Sequence, residues 1–289
     1  MRINVLGPIE VIAAGQAVPL AGQRQRALLA ALTLELGKAV AVGRLVDFLW
    51  DTSPPPTARA KIQAHVSALR RAIGQDAAET GGPLLTRPPG YMLRREPVDL
   101  DLAELESLTA RARDASAAGQ PAAASDLFAG ALALWRGPAF ADVESPLIRG
   151  AAGKLAERRL LGLEAKADAD LVVGRCADVV AELAPFLAGH PFRERMRAML
   201  MLALYRLGCR ADALALYRDG HQLMVAELGL EPGPQLRGLH QRILADDPVL
   251  LPPGRQAPQT AAAPGDGNGV VPQPAVSGPE EAGPRLRCP

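Results

Sequence analysis

The chain has 289 residues, 48% of them hydrophobic but only 3% aromatic, and its lack of any apolar run near ~18 residues excludes a membrane-spanning helix. Residues 1–7 lack the basic and apolar regions of a secretory signal, and three cysteines (Cys176, Cys209, Cys288) without a C-x-x-C pair are too few for a disulfide framework, so the protein reads as reduced and cytoplasmic. The net charge of +1 hides an uneven division: Lys+Arg against Asp+Glu is 12 to 6 over residues 1–95, 17 to 22 over 96–250, and 3 to 3 over 251–289.

Ile3 and Val5 alternate with polar neighbours, and residues 18–20 alternate again after Gly15-Gln16, which predicts a small N-terminal sheet. Residues 23–36 read as a helix, with Leu28, Leu29, Leu32 and Leu36 at helical spacing. A short β-like segment, 39–42, leads into a second helix over 44–50 that buries Leu45, Phe48 and Leu49 and stops at Pro54-Pro55-Pro56. Thr57 is the expected N-cap of a third helix, 57–73, with Gly74 closing it. Residues 84–87 and 91–94 then flank Pro88-Pro89-Gly90, where Pro followed by Gly suits a type II turn and predicts a hairpin. Sheet, three helices and a terminal hairpin is the order of an α/β winged helix-turn-helix.

From residue 101 to about 245 nearly everything reads as helix, broken at Gly119, Gly137-Pro138, Gly174, His190-Pro191, Gly208 and Gly229. Gly174, Ala177, Asp178 and Ala181 recur as Gly208, Ala211, Asp212 and Ala215, an offset of 34 residues. That is the period of a tetratricopeptide helix pair, and Ala118-Gly119 is a weaker third copy. The expected fold is therefore mainly α, with a winged helix-turn-helix at 1–95 and an all-α tetratricopeptide-like repeat domain at 96–250. Residues 252–289 carry nine Pro and six Gly and no aromatic residue, the composition of a disordered tail.

The third helix carries the most information. Ala58, Ile62, Val66, Leu69 and Ile73 form a narrow stripe for the core. The opposite face holds Thr57, Ala60, Lys61, Ala64, Ser67, Ala68 and Arg71, flanked by Arg59, Gln63 and Arg70, with no acidic residue between Thr57 and Gly74. Basic and amide donors among small residues suit a helix that enters the DNA major groove. The basic front third adds to this, because neutralising phosphates releases condensed counterions. Arg87, Arg94 and Arg95 on or beside the hairpin fit phosphates or the minor groove. Arg24 and Arg26 open the first helix, where free N–H groups and the dipole favour a phosphate. No P-loop occurs, since Gly37-Lys38-Ala39 lacks the upstream glycine and the hydroxyl, and His65, His190, His221 and His240 show no metal spacing. The reading is a non-enzyme without cofactor or metal.

Nine stretches in order resemble the Streptomyces antibiotic regulatory protein family across about residues 2–250. They are Val5-Leu6-Gly7-Pro8, Gln25-Arg26-Ala27-Leu28-Leu29-Ala30, Arg44-Leu45-Val46-Asp47, Pro55-Pro56-Thr57-Ala58, Val66-Ser67-Ala68-Leu69-Arg70-Arg71, Arg87-Pro88-Pro89-Gly90-Tyr91, Leu134-Trp135-Arg136-Gly137-Pro138, Leu202-Ala203-Leu204-Tyr205-Arg206 and Glu227-Leu228-Gly229-Leu230-Glu231-Pro232-Gly233-Pro234. The resemblance implies an OmpR-type winged helix joined to a bacterial transcriptional activator domain. It also implies a pathway activator of an antibiotic gene cluster in an actinomycete, binding direct repeats in promoter DNA as a dimer and recruiting RNA polymerase through its sigma factor. It makes residues 57–73 the recognition helix, 84–94 the wing with Tyr91 among its DNA-facing residues, and Asp51, Thr52 and Ser53 the polymerase-contact loop. Some members add an ATPase or sensory domain; without a P-loop this chain resembles a small member, not controlled by nucleotide hydrolysis. Ala60, Ala64 and Ala68 depart from the longer polar side chains expected of a recognition helix. The rival reading is a helical-repeat adaptor that grips a protein and does not bind DNA in a sequence-specific way.

Overall fold

In the computed structural model, which describes residues 1–74 and 82–251, the first strand, β1 (Arg2–Asn4), is partnered on both sides. β2 (Glu10–Ala13) runs antiparallel to it with Ile3 opposite Val11, and β3 (Gln16–Ala17) adds the outer edge. Between them Ala14 and Gly15 both take positive φ, 48° and 76°, the two-residue turn whose twist matches a hairpin. The strand expected at 18–20 thus lies earlier; only Val18 continues it, its N–H donating to the Val11 carbonyl (2.8 Å).

α1 (Gly22–Leu34), β4 (Val40–Ala41), α2 (Val42–Trp50) and α3 (Ala58–Ala72) follow, and the three helices pack on one another. The stripe read from sequence faces the core: Ala58, Ile62, Val66 and Leu69 are buried, and Ile73 is half-buried. Thr57 stands at the N-cap position but makes no capping bond. Its backbone (φ −92°, ψ 15°) is not extended, so the hydroxyl is not aimed at the first turn. The preceding prolines start the helix instead, the Ala58 N–H donating to the Pro55 carbonyl at 2.9 Å.

The hairpin is β5 (Leu84–Arg87) and β6 (Gly90–Leu93), and β4 pairs with β6 to complete a second sheet in the order β4-β6-β5. Arg87 lies opposite Gly90, so the turn's central pair is Pro88-Pro89, joined by a cis peptide bond, and not the Pro-Gly of a type II turn. Gly90 belongs to the strand for a different reason: a Cβ there would overlap the Val40 carbonyl oxygen of β4.

β7 (Asp99–Leu100) returns the chain to β1 in parallel, and α4 (Asp101–Ala117), α5 (Pro121–Ala133) and α6 (Pro146–Val173) come next. The chain forms two compact units, residues 1–169 and 170 onward, and α6 runs across that division. Within the first unit one apolar core takes in Ile3, Val5, Leu6 and Leu28 together with Leu102, Leu105, Trp135, Phe140 and Ile148. Polar bonds reinforce it. The Asp101 carboxylate accepts the N–H groups of Val5 (2.7 Å) and Leu6 (2.9 Å), Asp142 accepts that of Ile9 (2.8 Å), and Ser145 Oγ donates to the Phe48 carbonyl (2.7 Å).

The second unit holds α7 (Cys176–Gly189), α8 (Glu194–Arg206), α9 (Arg210–Leu228) and α10 (Pro234–Leu244), then a 3₁₀ turn (Pro248–Leu250). α7 packs on α8, α8 on α9, and α10 on both α8 and α9. The internal repeat appears as one turn used twice. Gly174 (φ 85°) and Gly208 (φ 86°) end α6 and α8 in the left-handed region, and the next residue donates back five positions, Arg175 to Asp170 (2.8 Å) and Cys209 to Leu204 (2.9 Å). This is the Schellman closure, which needs glycine because a Cβ is strained at that φ. In the first unit Gly119 (φ 70°) and the Gln120-to-Ala115 bond (2.9 Å) repeat it between α4 and α5. The motif at 227–234 closes α9 similarly with Gly229, then sets Glu231 on His221 Nε2 (2.8 Å) and the Gly233 N–H on Glu194 (2.6 Å), and starts α10 with Pro234. Among the described residues ten α-helices stand against seven short strands, so the fold is mainly helical. No helix among them is long and apolar enough to cross a membrane. The tail expected at 252–289 lies outside the described residues.

Candidate nucleic-acid interface

With its apolar stripe buried, α3 leaves a continuous outer face. Arg59, Lys61, Gln63, Ser67 and Arg71 are exposed along it, and Thr57 is exposed at its start. Ala60 and Ala64 lie between them, so the polar side chains rise from a low helix surface. No carboxylate interrupts residues 57–74.

The hairpin is clamped to one flank of this helix. Arg70 Nε donates to the Leu84 carbonyl (3.1 Å) and its guanidinium to Thr86 Oγ1 (3.0 Å). Arg70 is expected from sequence to hold phosphate; in the structure two of its donors fix the hairpin to α3, which gives it a positioning role. Arg87 is exposed at the turn, and Arg94 is half-buried at the far end of β6, its N–H on the Pro83 carbonyl (2.8 Å). Tyr91, expected among the DNA-facing residues, points inward instead: it is 8% exposed and packs in the core. The alternation of β6 requires this, because Tyr91 and Leu93 share the face that covers the helices.

At the opposite flank α1 supplies Arg24, exposed, its guanidinium 5.4 Å from the ring centroid of Trp50. Arg26, expected beside Arg24 at a phosphate, is engaged within the protein instead. It is half-buried and ion-paired with Asp142 (2.9 Å), the carboxylate that also accepts the Ile9 N–H. Asp51, Thr52 and Ser53 form an exposed loop after α2, with Asp51 at φ 53° and its N–H on the Asp47 carbonyl (2.9 Å).

Two residues on this surface escaped the sequence reading. Arg44 is exposed in the first turn of α2, over the Phe48 ring (5.1 Å), and that turn abuts the hairpin through the Val42 N–H and the Pro89 carbonyl (3.3 Å). Its spacing gave no cue, since the return of the hairpin onto α2 is a tertiary contact. His65 is the second, half-buried on α3. Burial lowers its pKa below the ordinary histidine value, and Arg24 and Lys61 lower it further. The surface joins exposed cations of α3 and α1 to the hairpin clamped on α3. Among the described residues no three His, Cys, Asp or Glu side chains gather as a metal site requires.

The family model described as the bacterial transcriptional activator domain matches residues 100–244. Regulatory protein AfsR of Streptomyces griseus is 40% identical over 259 residues, covering 89% of this chain but 26% of its own length. The chain thus spans about a quarter of that relative. Regulatory protein DnrI of Streptomyces peucetius is 35% identical over 268 residues, covering 91% of this chain and 98% of its own. Transcriptional regulator RedD of Streptomyces coelicolor is 36% identical, covering 88% and 73%. Among solved structures, Mycobacterium tuberculosis EmbR in complex with a low affinity phosphopeptide is similar with a TM-score of 0.80 and 35% identity, over 86% of this chain and 65% of that one.

Proposed function

The chain belongs to the family defined by the bacterial transcriptional activator domain, that of the Streptomyces antibiotic regulatory proteins, and on that premise we propose that it is a sequence-specific DNA-binding activator of an antibiotic gene cluster. Residues 1–95 act as an OmpR-type winged helix-turn-helix, with α3 in the major groove and the β5–β6 hairpin as the wing. Residues 96–250 act as the tetratricopeptide-like activator domain. Two copies bind direct repeats in promoter DNA, and the loop of Asp51, Thr52 and Ser53 meets RNA polymerase holoenzyme near its sigma factor. The observation that carries this reading is the outer face of α3, free of acidic residues and framed by Arg24 on one side and Arg87 on the other. Lys61, Gln63, Ser67 and Arg71 hold the major groove, the last three at base edges; phosphates fall to Arg24, Arg59, Arg87 and Arg94, with Thr57 at the helix start.

Selection of bound fragments from random genomic DNA by the purified chain tests this. A repeated motif is expected among the enriched fragments. Arg71→Ala is expected to weaken binding to that motif by about 1–3 kcal/mol and to relax one base position. Arg87→Ala is expected to weaken all sequences alike and to reduce the slope of log affinity against log salt by ~1. Uniform binding in both variants, with no enriched motif, points instead to the helical repeats as a protein-binding adaptor.

A further inference from the structure

The two flanks of α3 are built differently. Toward the hairpin, Arg70 is locked by Leu84 and Thr86. Toward α1, the flank carries Lys61 and, one helical turn later, His65. α1 packs on α3 and presents Arg24 from its first turn, with the Arg24 guanidinium laid over Trp50 at the end of α2. His65 is therefore half-buried on the flank of α3 against which α1 packs, within reach of the charge of Arg24 from α1 and of Lys61 one turn earlier on its own helix. Trp50 from α2 is neutral, and α3 itself has no carboxylate. Burial first, and then the charges of Arg24 and Lys61, hold the His65 pKa below the ordinary histidine value in the free protein.

We propose that the corner of Arg24, Lys61 and His65 is a site for one phosphate of the DNA backbone, and that filling it protonates His65, so that DNA binding takes up a proton. The inference rests on the DNA-binding reading above. A phosphate between the two cations reverses the local field and offers an oxygen to the imidazolium N–H, a charge-assisted bond that the neutral ring makes less well. The bound protein then holds the proton more tightly than the free protein. By linkage, affinity is independent of pH where both states are protonated or both are neutral, and between those limits it falls as pH rises. The limit is one proton per site, hence at most a tenfold loss of affinity per pH unit.

The test uses the full chain and a duplex carrying the motif selected from genomic DNA, at constant ionic strength, from about pH 6 to about pH 8. Wild-type affinity is expected to fall roughly five- to tenfold across that range. Calorimetry in buffers of different ionisation enthalpy should find proton uptake approaching one per protomer. His65→Gln is expected to flatten the profile near the wild-type affinity at the upper end, and Arg24→Ala to make it shallower. A flat wild-type profile with no proton uptake overturns the inference but leaves DNA binding standing, and so does a slope retained by His65→Gln. Absence of binding to any fragment at every pH overturns both.

Discussion

Gly90→Ala is expected to destabilise the first compact unit by about 3 kcal/mol and to release the hairpin from β4. The new methyl group would occupy the position of the Val40 carbonyl oxygen, with the Val42 backbone beside it. Backbone cannot yield as the tip of a side chain does, so relief requires breaking the pairing of Ala41 with Gly90 and of Val40 with Tyr91. That pairing is what seats the hairpin beside α2. Its loss turns Arg87 away from α3 even though Arg70 still holds the other strand. Thermal unfolding should show a midpoint lowered by about 6–12 °C, and DNA affinity should drop with it. Gly43→Ala serves as the control. Gly43 lies in the first turn of α2 with open space around it, and alanine there is expected to stabilise by about 0.5 kcal/mol. An unaltered midpoint in Gly90→Ala would refute the close approach of β4 and β6.

Asp101→Ala is expected to have the second largest effect, about 2–4 kcal/mol of lost stability. Asp101 is 2% exposed, and its Oδ2 accepts two backbone N–H groups from the segment after β1. Alanine leaves both donors buried without an acceptor, each a desolvation penalty. Asp101→Asn keeps an oxygen in that place and is expected to stay within about 1 kcal/mol of wild type. The two variants also separate the hydrogen bonds from the charge. Burial raises the Asp101 pKa above the ordinary value; the N–H bonds from Leu6, Val5 and Leu102 and the Arg136 charge offset this only in part. A carboxyl with a raised folded pKa is most stabilising when protonated, so its contribution is lost as pH rises from the ordinary carboxylate range through the folded value. Denaturant unfolding should show that decline in wild type and not in Asp101→Asn. An Asn variant as unstable as Ala would show that the charge, not the acceptor, holds the junction.

By itself the sequence determined the features that depend on neighbours three to five residues apart. The core stripe of α3 and the helix ends at Gly74, Gly174 and Gly208 are local, because helical periodicity and a left-handed glycine are properties of a short segment, and the 34-residue recurrence is the same local signal met twice. It also showed the sign of the charge on α3, since a run without carboxylates is cationic in any fold. The tertiary structure decided where each arginine spends its donors. Arg26, Arg70 and Arg71 look alike in the chain, yet Arg26 meets Asp142, Arg70 meets the hairpin, and Arg71 faces outward. The family resemblance implies a DNA-facing Tyr91, whereas its place in β6 opposite Val40 turns it to the core, and Gly90 reads as a turn residue in sequence but lies in a strand against β4. The parallel pairing of β1 with β7, and the Asp101 bonds that reinforce it, join residues nearly a hundred positions apart. Such contacts leave no period in the sequence, because what selects them is the burial of one shared apolar core.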